Sequence, residues 1–365
     1  MRTYVAGDLG GTNCRLILGQ LDDNGASTHL FEKTYKSHEH PHLIVILQSF
    51  ILEAPCKVAP IALSVCLPLT LGQVRPNVAG IAVAGPVTAN RYSLITNLNW
   101  SLDAEQMSSQ LNIEKVFLIN DFAAIGYGLL RLTPGDLVKI NDVPAQLGAP
   151  IACLGAGTGL GEVYLTHNGR EYDVWSSEGG HADFASRTLL EFELLDFIRK
   201  RAGIDRVSVE RVVSGSGLPV IYEFLKTKHN ELVSSAVENE LAQGGDPGEI
   251  ITRHATDGSD VICKLAFDLW LSAYGAEAGN LALRSLCYGG LYIAGGIAPK
   301  VIKSFTSSDD TFWRSMCAKG RMKEVIQRIP TYVVTHRNVG MLGAEHVCHR
   351  LCRGLAEKGD GLLKG

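Results

Sequence analysis

The sequence predicts an α/β protein of two similar lobes with a central cleft, and three observations lead there. A glycine-rich turn, Gly7-Asp8-Leu9-Gly10-Gly11-Thr12-Asn13, follows the apolar run Tyr4-Val5-Ala6. A second, Gly155-Ala156-Gly157-Thr158-Gly159-Leu160-Gly161, follows Ile151-Ala152-Cys153-Leu154. Each re-enters a strand-like run, Leu16 to Leu18 and Val163 to Leu165, and each opens a comparable order of strands and helices.

Residues 3–8, 14–21 and 27–36 read as three consecutive strands, with Asp23-Asn24-Gly25 as the hairpin signal before the third. Pro41 suits the first turn of a helix reaching Leu52. Ala79 to Ala84 and Lys115 to Ile119 read as the next strands, and a helix follows from Phe122 to Arg131. Strands then recur at 150–155, 161–166 and 170–176, followed by a helix over Thr188 to Arg201. Short apolar segments at Val209 to Val213 and Leu291 to Ala294 interleave with helices near 217–227, 249–256 and 259–286. A last helix runs from Gly340 to Leu351, and Gly354 to Gly365 reads as a frayed tail. Ile61 to Val78 reads as an added surface turn to which the sequence assigns no function.

A chain of 365 residues has room for two domains of ordinary size, and 46% hydrophobic with 20% charged residues is a globular composition. The formal net charge of −4 and the lack of basic runs give no reason to expect nucleic acid or an anionic membrane as partner. The first predicted strand begins almost at Met1, which leaves no room for a targeting peptide, and no apolar stretch is long enough to span a membrane. Nine cysteines, an odd number without a Cys-x-x-Cys pair, read as reduced thiols of a cytoplasmic protein. Cys14, Cys66 and Cys153 sit in or beside apolar runs as small hydrophobes.

Glycine allows backbone N–H groups to approach an anion and form a phosphate nest. Neither turn fits the dinucleotide or P-loop pattern. Two phosphate-type turns on two similar lobes suggest a nucleotide gripped between them. The ordered set Gly7 to Asn13, Ala84-Gly85-Pro86-Val87, Thr96-Asn97, Ile119-Asn120-Asp121-Phe122, Gly155 to Gly161, Glu178-Gly179-Gly180-His181, Glu210-Arg211-Val212-Val213-Ser214-Gly215 and Ala294-Gly295-Gly296-Ile297 resembles the bacterial-type glucokinases. These are sugar kinases of the actin-like ATPase superfamily. The match spans roughly residues 3 to 345. It implies two ribonuclease-H-like lobes of the actin-like ATPase/hexokinase architecture: residues 1–131 with 339–353 as the small lobe, and 132–338 as the large one. The cysteine-rich zinc loop usual in repressor-related sugar kinases is missing, which separates the chain from that group.

The resemblance implies ATP-dependent phosphorylation of the C6 hydroxyl of D-glucose, the entry step of glycolysis, with Mg²⁺ as cofactor and a homodimer as assembly. Asp121 would be the base that receives the hydroxyl proton; its position at a strand-to-helix junction also suits a plain helix cap. Asn97, Asn120, Glu178, His181 and Glu210 would bind glucose. A Glu/His pair on a loop is also a common surface feature, and Glu210 has Arg211 beside it as an alternative partner. Asp8 would orient hydrated Mg²⁺, while Gly10, Gly11, Thr12, Asn13, Gly157, Thr158 and Gly159 meet the phosphates. Gly295 and Gly296 would border adenosine, or form an ordinary turn.

Two tempting metal constellations, His38-Glu39-His40-Pro41-His42 and His346/Cys348/His349/Cys352, read better as a solvated loop and a packed helix. A kinase for another hexose such as fructose or mannose is the nearest alternative, and a non-catalytic superfamily member the more distant one. The latter has no reason to hold Glu178, His181 and Glu210.

Overall fold

The computed structural model describes residues 1–54, 75–306 and 311–357. They form two units: residues up to Leu132 together with those from Asn338 onward, and Thr133–Arg337.

In the first unit β1 (Arg2–Leu9), β2 (Asn13–Leu21) and β3 (Ser27–Lys36) make an antiparallel meander, with Val5 opposite Leu18 and Asp8 opposite Arg15. The helix α1 (Leu43–Glu53) is capped by His42, whose Nδ1 accepts from the Ile44 N–H. Pro41 therefore precedes the cap instead of sitting in the first turn, a small correction to the expected start. β4 (Val78–Val83) is buried at every position and pairs parallel with β1, as a strand covered on both faces must be apolar throughout. β5 (Val87–Thr88), β6 (Tyr92–Ile95) and β7 (Trp100–Asp103) form a small separate sheet that the sequence reading missed. Strands this short carry too few alternations to register as a pattern. After α2 (Ala104–Leu111), β8 (Lys115–Asn120) completes the sheet order β3-β2-β1-β4-β8, and α3 (Asp121–Leu129) leaves its end. The extra segment expected over 61–78 lies outside the described residues except at its end, where Val78 opens β4.

The second unit repeats the theme. β9 (Leu137–Lys139), β10 (Ile151–Ala156), β11 (Leu160–His167) and β12 (Tyr172–Ser177) precede α4 (Leu189–Ala202), α5 (Gly217–Lys228), α6 (Ser235–Ala242), α7 (Pro247–Thr256) and α8 (Val261–Ser285). β13 (Gly290–Ala294), α9 (Ile302–Thr306), α10 (Thr311–Cys317), α11 (Lys323–Gln327) and β14 (Thr331–Val334) complete the order β12-β11-β10-β13-β14-β9. The apolar segment Val209 to Val213 contains a 3₁₀ turn at Val209–Arg211, and its valines 209, 212 and 213 are core residues. α8 is buried on most of its circumference, and Gly275 and Gly279 admit the α10 backbone at Phe312 and Met316, where a Cβ would collide.

α12 (Val339–Glu357) belongs to the first unit and packs on α3, β1 and β4. It runs beyond the expected Leu351 and includes Gly354–Glu357, so that part of the proposed frayed tail is helical; 358–365 lie outside the described residues. Gly128 on α3 and Gly343 on α12 permit the approach, since a side chain at either would strike the other helix's backbone. All the described cysteines are buried and none is in a disulfide; Cys66 lies outside the described residues. Histidines of the two constellations read as non-metal have other partners. His42 caps α1 and bonds the Ser101 carbonyl at 2.9 Å, and His40 packs edge-on to Tyr35. His346 stacks on Tyr127, and His349 Nδ1 accepts from Arg131 at 2.9 Å. Among the described residues no helix is long and apolar enough to cross a membrane.

Burial and then Arg350 hold the His346 imidazole down to about 3, and burial and then Arg131 hold His349 down to about 4. Both rings are neutral in the fold and take a proton readily once exposed, near their ordinary value of 6.5. The unfolded chain thus binds more protons as pH falls, so this stability is complete above 6.5 and is lost toward 4 and 3. Urea midpoints should fall through that window. His346→Phe, which keeps the ring on Tyr127 without its titrating nitrogens, should flatten the fall; an unchanged slope would assign the acid sensitivity to other groups.

Candidate functional site

The first glycine turn is a tight reversal between β1 and β2, closed by the Gly10 N–H donating to the Asn13 carbonyl at 2.9 Å. Buried Ser37 holds it from below: its Oγ donates to the Gly10 carbonyl at 2.9 Å and its N–H to the Thr12 carbonyl at 2.9 Å. Lys36 Nζ donates to Asn13 Oδ1 at 2.9 Å. Gly11, Thr12 and Asn13 are left exposed. Asn97, from the β6–β7 connection, borders the turn, with its Nδ2 3.8 Å from where a Gly11 Cβ would stand. Asp8 lies at the end of β1, and burial holds its carboxyl above the usual range while Arg15 alongside pulls the other way. A desolvated carboxylate beside a phosphate-type turn is a fitting neighbour for a cation. Among the described residues no group of three or more His, Cys, Asp or Glu could enclose a metal.

Asp121 is the first residue of α3, and the cap is Asn120. Asn120 Oδ1 accepts from the Phe122 and Ala123 N–H groups at 2.9 and 3.0 Å, and its Nδ2 donates to the Gly85 carbonyl and to Asp121 Oδ1, both at 3.1 Å. The capping alternative for Asp121 thus passes to its neighbour. Asp121 is exposed, with Oδ1 also accepting from the Phe122 N–H at 2.8 Å, and a helix N-terminus favours its negative charge. The Asn120 amide is engaged inside the protein at both ends, so it acts here first as cap and as a brace for Asp121.

The residues of the second unit meet around the start of β11. The Gly157 N–H donates to the Gly159 carbonyl at 2.8 Å, and the Gly157 carbonyl accepts from the Gly215 N–H at 2.8 Å. Glu210 Oε2 accepts from the Leu160 N–H at 3.0 Å and lies so close to Gly159 that a side chain there would collide with it. Glu178 caps the 3₁₀ turn Gly179–His181, and His181 ends it; His181 Nε2 is 3.8 Å from Glu178 Oε2 and its Nδ1 is 3.9 Å from Glu210 Oε1. Glu178 and His181 are exposed, and Glu210 is partly so. No Glu210–Arg211 ion pair occurs among the described residues. Arg206 Nη1 fixes the loop from behind by donating to the His181 carbonyl at 2.7 Å and to Asp183 Oδ1 at 2.9 Å.

A cavity of about 1300 Å³ opens beside the same turn, lined by Gly157, Thr158, Gly215, Gly296 and the N-terminus of α7. Its floor is apolar and includes Phe267 and Trp270, and Trp270 Nε1 donates to the Ser214 carbonyl at 3.1 Å. Gly295 has φ of 84° and a Cβ there would strike the Ala156 carbonyl, a position closed to other residues, whereas a Cβ at Gly296 would face open space. Thr158 and Gly296, widely separated in sequence, thus line one chamber. Ser37, Lys36, Arg206, Trp270 and the Asp246-capped start of α7 were missed by sequence reasoning. Only Ser214-Gly215, within the matched motif, carried a signal.

A family model for glucokinase matches residues 5–351. A glucokinase of Nostoc sp. is 41% identical over 96% of this chain and 100% of its own length. Among solved structures, a glucokinase from an Antarctic psychrotroph superposes with a TM-score of 0.76 at 27% identity, covering 96% of this chain and 99% of that one. A ROK family glucokinase from Streptomyces griseus shares the fold at a TM-score of 0.58 and 18% identity, over 94% of this chain and 98% of that one. With a match across nearly its full length, the chain belongs to the glucokinase family.

Proposed function

We infer that this protein transfers the γ-phosphoryl group of ATP to the C6 hydroxyl of D-glucose. The observation that carries the reading is the placing of His181 within 3.8 Å of Glu178 and 3.9 Å of Glu210, the latter against the Gly157–Gly159 turn. Two carboxylates and an imidazole present acceptors and a donor to a ring of hydroxyls, and the neighbouring turn presents backbone to phosphate. The cavity bordered by Thr158 and Gly296 has an apolar floor and a helix N-terminus at its rim, which suits a nucleotide.

In this reading Asp121 accepts the C6 hydroxyl proton as that oxygen attacks the γ-phosphorus, and Asn120 holds the carboxylate in place. Asn97, which borders the first glycine turn, would be a further sugar ligand, and Asn120 would need to release a partner to bind sugar directly. Mg²⁺, when bound, neutralises phosphate charge, and Asp8 would hold it through water. Gly10 to Asn13 offer backbone to the same phosphates. A cytoplasmic homodimer completes the proposal; the buried, unbridged thiols support a reducing compartment, and family resemblance supports the dimer.

A coupled assay with glucose, fructose and mannose tests the substrate. Glucose should give the highest kcat/KM, and a better acceptor among the others would replace the assignment. Asp121→Asn preserves the acceptor for the Phe122 N–H but not the basic oxygen, so kcat should drop by roughly 10²–10⁴ with little change in glucose affinity. Retention of more than about a tenth of the native rate would remove Asp121 from the chemistry. Gly159→Ala drives a methyl group into Glu210. It should raise KM for glucose and for ATP together, and an effect on ATP alone would uncouple the two sites.

A further inference from the structure

Beside the first glycine turn stands a cation to which the proposed phosphoryl transfer assigns no role. Lys36 ends β3 directly opposite Asn13, which opens β2, and its Nζ donates to Asn13 Oδ1 at 2.9 Å. Residues opposite each other in an antiparallel pair point to one face of the sheet, as do alternate residues along a strand. Asn13, Arg15, Lys36 and Asp8, which lies opposite Arg15, therefore share a face at the turn end of the meander. Two cations stand there. Arg15 is engaged: its Nε and Nη2 both lie 2.7 Å from Glu32 Oε1, and Asp8 is alongside. Lys36 has no carboxylate partner among the described residues, and the Asn13 amide oxygen is its one bond. An ammonium carries three donors, so two remain for a ligand. Lys36 is exposed, as are Gly11, Thr12 and Asn13.

We propose that Lys36 is a phosphate ligand of the nucleotide, held at the first glycine turn by Asn13 and donating its remaining N–H groups to phosphate oxygens. The proposal rests on the reading of that turn as a phosphate site. The turn needs such a donor. The Gly10 N–H is spent on the Asn13 carbonyl, so its backbone offers fewer donors than its glycines suggest. Ser37, next to Lys36 in the chain, takes up the Gly10 and Thr12 carbonyls, so two oxygens that would oppose an anion are already engaged. The same bonds and the Asn13–Lys36 pairing anchor the Lys36 backbone, which leaves only its side chain to adjust. The face thus offers one desolvated carboxyl, at Asp8, and one uncompensated ammonium, at Lys36. That is the complement of a polyphosphate carrying a cation.

The competing role for Lys36 is a brace that steadies the turn through Asn13. The two roles separate by charge and by what stands at residue 13. A brace acts through the Asn13 amide, so its removal is felt only while that amide is present. A phosphate ligand acts through its charge: arginine replaces it, methionine does not, and added salt weakens it.

The test measures KM for ATP and glucose by coupled assay, ADP binding by calorimetry, and inhibition by adenosine in competition with ATP. It compares the native protein with Lys36→Met, Lys36→Arg, Asn13→Ala and the Lys36→Met/Asn13→Ala double variant. Methionine keeps the apolar stem and removes the charge. Lys36→Met should raise KM for ATP and weaken ADP by about tenfold, the effect of one charge-assisted hydrogen bond, while KM for glucose stays within about twofold. Adenosine, which has no phosphate, should inhibit as before. Lys36→Arg should stay within about threefold of native. The loss from Lys36→Met should persist beside Asn13→Ala, and added salt should weaken ADP less in Lys36→Met than in the native protein. Native-like ATP and ADP affinities in Lys36→Met overturn the proposal. Equal losses for ADP and adenosine do so too, as does a loss that vanishes once Asn13 is replaced. Should Lys36→Met fail to fold, Lys36→Gln is judged by the same outcomes. A native protein that binds ADP but phosphorylates no glucose loses the kinase reading, and ADP binding then decides the role of Lys36. Absence of both ATP turnover and ADP binding in the native protein removes the nucleotide reading, and the proposal with it.

Discussion

The second unit's candidate site depends on how closely backbone can approach backbone at the start of β11. The Leu160 N–H holds Glu210, the Leu160 carbonyl lies where a Gly180 side chain would have to go, and Gly159 leaves room for the Glu210 carboxylate. One residue of strand thus sets the distance between the phosphate-type turn and the Glu178–His181 loop. The glycines at 159, 179 and 180 are tied to that spacing, since each faces a carboxylate or a carbonyl at a separation no Cβ tolerates. Leu160 itself is buried and anchored by the β10–β11 ladder, so the spacing is inherited from the sheet.

The same economy appears in how each unit braces its loops. Ser37 takes up two carbonyls of the first turn, Arg206 takes up the His181 carbonyl, and Trp270 takes up that of Ser214. Each satisfies a backbone oxygen that an irregular loop would otherwise leave without a partner, a cost of about 1–3 kcal/mol when buried. Rigidity of the loops is thereby bought from side chains outside the motifs.

That division explains what was legible in the sequence. The glycine turns, Asn120-Asp121 and Glu178 to His181 are local: their spacing along the chain already states which atoms come close. The strands of the meander and the long α8 were likewise readable from apolar runs of the right length. Ser37, Arg206 and Trp270 were not, because nothing within a few residues of them shows which distant carbonyl they will meet. The β5–β7 sheet escaped because its strands are two to four residues long. The start of α1 was misplaced because proline before a cap and proline after it look alike without the backbone. Asp121 was weighed as a cap for a similar reason. Either residue of Asn-Asp can cap a helix, and only the hydrogen bonds of Asn120 decide which one does.

Asp8 and Glu162 show two solutions to a buried carboxyl. In both, burial favours the protonated form, and what differs is the partner. Asp8 has the Arg15 cation beside it and an exposed glycine turn next to it, so a further cation can complete its neutralisation. At Glu162 burial and then the Glu277 carboxyl favour the proton against the weaker pull of Arg284, and Oε1 meets no donor among the described residues. A cation at Glu162 is disfavoured on steric grounds too, because Gly179 already fills the space above it. Charge arriving from solution is therefore suited to the first unit's carboxylate, and a retained proton to the second's.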